Sequence, residues 1–72
     1  MSDKLNYIYV VNDDTNFQPS DILQTEREAA LTTKLLSEYL GTTVTLVHPE
    51  KKTRLITFKQ GIIMFHLLGV WY

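Results

Sequence analysis

At 72 residues with no cysteine, the chain suffices for one small core, and it can form neither disulfides nor a thiolate metal site. Seven Lys/Arg against eight Asp/Glu leave a net charge of −1, which argues against a dedicated nucleic-acid binder. A core of this size supplies only about 3–5 kcal/mol of net stability, so close packing or association with another chain has to contribute.

The first residues, Met1-Ser2-Asp3-Lys4-Leu5-Asn6, lack the basic-then-apolar pattern of a signal peptide. Together with the absence of disulfides at this size, that predicts a soluble protein of a reducing, cytoplasmic compartment. Leu5 to Val11 is dense in β-branched and aromatic residues and predicts a first strand. Leu5, Tyr7, Tyr9 and Val11 fall on one face, Ile8 and Val10 on the other. A strand apolar on both faces is expected inside a sheet covered on both sides.

Asn12-Asp13-Asp14-Thr15-Asn16 is turn chemistry, since Asn and Asp bond to nearby backbone and tolerate left-handed conformations. Over residues 10–14, Val-Val-Asn-Asp-Asp resembles the acidic pair that ends the first strand of receiver domains. The phosphoacceptor Asp and later Lys that this resemblance implies have no counterpart here. Asp13 and Asp14 are therefore read as turn residues at the rim of a contact surface rather than as a metal site.

Ser20, after Pro19, and Thr25, with Glu28 three residues on, are both possible helix caps; a short turn over 20–24 running into the main helix accommodates both. The capping box also explains why Glu28 lies toward the apolar arc. On a helical wheel Ile22, Ala29, Leu35, Leu36, Tyr39 and Leu40 share that arc, with Leu31 at its edge. Glu26, Arg27, Thr33, Lys34, Ser37 and Glu38 lie opposite. The pattern predicts an amphipathic helix buried on its leucine side and closed by Gly41 in a left-handed cap.

Thr42 to Val47 predicts a second strand, 48–52 a turn around Pro49, and Thr53 to Lys59 a third strand. Gln60-Gly61 is a second turn. The apolar run 62–72 is too short for a membrane-spanning helix, which needs about 20 residues. Its β-branched and aromatic residues favour a fourth strand over a buried helix. The fold class is thus α+β, β-α-β-β-β over a single domain 1–72, with one helix on a four-stranded mixed or antiparallel sheet. The two most apolar strands, first and fourth, are expected at its centre.

One helix covers one sheet face. Ile8 and Val10, or alternate residues of 62–72 such as Phe65 and Trp71, are then left for the other. Either the 12–24 loop, with Phe17, Ile22 and Leu23, closes that face, or another chain does. The second possibility predicts a non-catalytic protein-interaction module, a homodimer or a regulatory or inhibitory subunit covering a partner protein. Its contact residues are expected to be Tyr7, Tyr9, Phe65, Trp71 and Tyr72, with Asp13 and Asp14 at the rim.

An alternative is a nucleic-acid-associated regulator using the basic hairpin 48–59, through Lys51, Lys52, Arg54 and Lys59. Four charges give only modest phosphate neutralisation. His48 and His66 make a poor metal set, since structural zinc needs four ligands. Gly41, Gly61 and Gly69 are isolated and build no phosphate-cradling loop. No serine sits in a nucleophile setting. No enzyme activity, cofactor or metal is expected.

Overall fold

The connections at 48–53 and 60–61 are too short to cross a sheet, so three consecutive strands have to pair as neighbours. The computed structural model describes residues 4–14 and 19–67. Strands β1 (Ile8–Val11), β2 (Thr43–Val47), β3 (Arg54–Lys59) and β4 (Ile62–His66) form one antiparallel sheet in the order β1-β2-β3-β4. Helix α1 (Glu26–Leu40) lies between β1 and β2 in sequence and packs on β2 and β3. The fold is the expected α+β, β-α-β-β-β, one helix on a four-stranded sheet.

The expected strand order is corrected. β1 and β4 are the outer strands, and the Thr-rich β2 and the charged-ended β3 are central. The reason is on the outer side of β1. There the incoming segment 19–24 runs antiparallel, with Leu5 and Gln24 exchanging both backbone bonds at 2.8 and 3.0 Å. The Ser20 N–H donates to Tyr7 O at 2.8 Å, and Ile8 faces Pro19. The lead into β1 and its first residue are thus paired on the outer side without β1 being central.

Turn chemistry accounts for the connections. Asn12 and Asp13 both have positive φ (53° and 58°), and the Asp14 N–H donates to Val11 O at 3.0 Å. This is the left-handed turn that Asn and Asp accept at low cost. Gln60 and Gly61, at φ 51° and 84°, form the two-residue hairpin turn between β3 and β4. The Gly61 N–H donates to Ser37 Oγ at 2.9 Å, pinning that turn to the helix. A Cβ at Gly61 would meet the Glu38 side chain at 2.6 Å.

The helix begins at a reciprocal capping box: Thr25 Oγ1 accepts from the Glu28 N–H at 3.2 Å, and Glu28 Oε1 accepts from the Thr25 N–H at 2.8 Å. Gly41 ends it in the left-handed region, φ 66°. The backbone hydrogen bond from Thr25, chiefly, holds the Glu28 carboxyl below its usual 4.5. A carboxyl depressed on folding contributes stability that is present above its unfolded pKa and lost as pH falls through the lower folded value. The denaturation midpoint of the wild type should therefore exceed that of Glu28→Ala at neutral pH. Urea titrations stepped into acid should show the gap narrowing below pH 4.5.

Helix and sheet meet through small residues on one side and large ones on the other. Ala29, Ala30, Thr33 and Ser37 are the buried helix positions. Opposite them lie Tyr7, Leu46, Leu55, Ile56 and Phe58, with Leu5 and Tyr9 at the margin. The burial of Thr33 and Ser37 is inexpensive because each hydroxyl donates within the helix, to Ala29 O at 2.8 Å and to Lys34 O at 2.7 Å.

Two bulges adjust the sheet. Leu55 is the extra residue between the Leu46–Ile56 and Val47–Arg54 pairs, and Leu55 and Ile56 are both buried in the core. Met64 is the extra residue between the Phe58–Ile63 and Thr57–Phe65 pairs, which breaks the simple alternation expected for this strand.

Candidate interaction surface

The wheel reading of α1 is corrected in part. Ala29 is buried as expected and Leu36 is half-buried, but Leu31, Leu35 and Tyr39 are 58%, 53% and 87% exposed. The residues expected opposite the core, Thr33 and Ser37, are fully buried. Bulky aromatic and aliphatic side chains on β1, β2 and β3 already fill the inter-layer space, so only Ala, Thr and Ser fit beneath the helix axis. Leu31 and Leu35 are thereby turned outward.

Leu31, Leu35 and Tyr39 stand at i, i+4 and i+8, one continuous ridge along the solvent side of α1. Single exposed leucines are ordinary; here three large apolar residues are exposed in one uninterrupted row over two turns. Arg27 stands one turn before Leu31 on the same ridge, and Glu38 lies beside its far end; both are exposed. Ile22 and Leu23, just before the helix, are exposed as well, so the described part of the 12–24 loop does not use them to close the sheet.

The residues expected at an interface are dispersed. Tyr7 is 2% exposed, in the core beneath α1 with its ring edge-on to His48 at 5.9 Å, so it has no surface to offer a partner. Tyr9 is half-buried beside it; its hydroxyl donates to Gln24 Oε1, and Gln24 Nε2 donates to Thr32 Oγ1 at 3.0 Å. The Thr32 hydroxyl in turn donates to Glu28 O at 3.0 Å, so one chain of polar bonds ties β1 to the helix start. Burial raises the Tyr9 phenol above its usual 10.0, with the Thr32 and Gln24 bonds opposing.

Asp13 and Asp14 are exposed in the turn after β1. Phe65 is half-buried, with the Arg54 guanidinium 4.3 Å over its ring. Strand pairing puts both on the sheet face away from the helix, with Ile8, Thr45 and Thr57. Ile8, Thr45 and Thr57 are buried, and the two threonine hydroxyls share a hydrogen bond at 3.0 Å. At those positions the second sheet face is buried within the chain. Trp71, Tyr72 and Phe17 lie outside the described residues.

The basic group is spread out. Lys51 and Lys52 project from the 48–53 loop, Arg54 is engaged with Phe65, and Lys59 closes the far end of β3. Arg54 and Lys59 stand five positions apart along the strand, about 16 Å. The His48 ring organises the loop instead of a metal, its Nδ1 accepting from the Glu50 and Lys51 N–H groups at 3.2 and 3.1 Å. Among the described residues no group of three or more His, Cys, Asp or Glu is placed to hold a metal ion. Nor is any helix among them long and apolar enough to cross a membrane.

β4 offers a second apolar strip. Among the described residues it pairs only with β3, and Ile62, Ile63 and Met64 are exposed along it. It carries none of the lysines that usually protect an open edge.

A hydrophobicity wheel misses the helix ridge because it ranks bulk and apolarity together. The signal that finds it is the spacing of the small residues Ala29, Ala30, Thr33 and Ser37, a complete stripe in itself. Comparison with protein-family models, curated proteins and solved structures yields no match to this chain.

Proposed function

We propose that this chain is a non-catalytic protein-interaction module that works by laying the outer ridge of α1 against a protein surface. The observation that carries this reading is the exposure of Leu31, Leu35 and Tyr39 in one row, on a helix whose opposite face already satisfies the core. A helix presented in this way is read by partners through anchors at i, i+3 or i+4 and i+7 or i+8. A homodimer and a regulatory or inhibitory subunit on a foreign protein are both forms of this activity. The nucleic-acid reading draws less support, since Lys51, Lys52, Arg54 and Lys59 form no single patch.

The chain has no cysteine, so Leu35→Cys introduces a unique thiol on the ridge. Its maleimide labelling rate should be fast in the dilute purified protein and several-fold slower in concentrated solution or inside the cells that make it. Equal labelling in all three settings would sink the reading.

A further inference from the structure

Resting on that reading, we infer that the occupant of the ridge is a second copy of this chain, with the two α1 helices packed antiparallel about a twofold axis at the level of Thr33. The inference comes from the self-complementarity of the row. Under that axis Leu31 of one copy meets Leu35 of the other, and the contact repeats by symmetry. Arg27, on the same ridge, comes level with the partner's Tyr39, where a guanidinium finds an aromatic face.

Helical periodicity puts Arg27 and Glu38 on the same flank of the ridge. In an antiparallel pair like flanks meet, so Arg27 faces the partner's Glu38 twice in each dimer. A parallel pair brings unlike flanks together, so Arg27 and Glu38 would both face the opposite flank and the two attractions would be lost. Charge thus favours the antiparallel arrangement, in which the ridge of this chain complements its own copy. The Glu38 side chain now rests over Gly61; being exposed, it reaches the partner by a change of rotamer.

One helix face per copy buries less than the roughly 800 Å² per partner of a standard interface. The dimer is therefore weak and has to be sought at high protein concentration. The bulk of the contact is the leucine pair and Tyr39, and the charge pairs set direction.

The test is sedimentation equilibrium on the full chain at low ionic strength, where exposed ion pairs are least screened. Wild type, Arg27→Glu, Glu38→Arg and an equimolar mixture of the two variants are compared. The wild type should dimerise. Each variant alone should dimerise about tenfold more weakly, because an exposed pair turned repulsive is modest in energy but occurs twice.

The mixture should recover wild-type association, since both cross-contacts are then attractive, and circular dichroism should show all three chains folded alike. A wild type monomeric throughout the series overturns the inference. So does a mixture no stronger than its components. If either result is found while the thiol at position 35 remains protected in cells, the ridge serves a foreign protein. The interaction reading then stands and the second-copy inference falls.

Discussion

Replacing Ala29 with leucine should lower the stability of the chain markedly, whereas replacing Leu35 with alanine should leave it nearly unchanged. Ala29 is 0% exposed and faces Leu46, Ile56 and Phe58 across the helix–sheet interface. Three additional carbons there force the helix off the sheet or the strand side chains out of their rotamers, which typically costs about 1–3 kcal/mol. Lifting the helix would also strain the Ser37–Gly61 bond that holds the β3–β4 turn. Against a net stability of no more than about 3–5 kcal/mol for a core of this size, that is a large share of the total. Leu35 is over half exposed, so its truncation removes little buried area and improves helix propensity slightly. Thermal melts of the two variants decide the matter. A stable Ala29→Leu beside an Leu35→Ala that has lost 2–5 kcal/mol, as a buried leucine would, would mean that the helix sits with its leucines inward.

How far the sequence reveals this fold depends on which physical term dominates at each place. Turns were readable because their chemistry is local: Asn12-Asp13 and Gln60-Gly61 take positive φ where their side chains allow it. The capping box Thr25–Glu28 and the Gly41 cap are local for the same reason, and both occur. Strand order was not readable from apolarity. Burial of β1 depends on pairing with residues 19–24, a contact across more than ten positions that no periodicity encodes. The rotation of α1 failed for a related reason. A wheel measures the helix alone, whereas the buried side is chosen by the volume left over by Tyr7, Leu46, Ile56 and Phe58.

The exposed apolar surface shifts with that rotation, because this composition has more large apolar side chains than one helix and one sheet conceal. Tyr7 and Tyr9 pack beneath the helix, Ile8 is buried on the far face, and the surplus emerges as the outer ridge of α1 and the edge of β4. Small helix residues under large strand residues have a direct structural consequence: they leave the large residues of the helix on its outer side.

Tyr7 and Tyr9 separate core from surface experimentally. Tyr7→Ala should cost about 3–5 kcal/mol, the range for an aromatic truncated in a core, and so leave little folded protein at neutral pH. An interface tyrosine would instead leave the monomer folded and change only its association. Tyr9→Phe keeps the packing and removes the hydroxyl from the bond to Gln24, so its effect should be small below pH 10.0 and change sign of importance above it. Burial is the main reason the Tyr9 phenol resists ionisation in the folded chain. A group with a raised folded pKa contributes stability that is complete below the unfolded value and disappears as pH rises through the folded one. In alkaline urea titrations the wild type should therefore lose stability as the unfolded phenol begins to ionise near 10.0, while Tyr9→Phe loses less over the same interval. Parallel pH curves for the two proteins would show that the Tyr9 hydroxyl is solvated as freely in the fold as in the unfolded chain, and that the bonds from Tyr9 through Gln24 to Thr32 do not hold the helix start to β1.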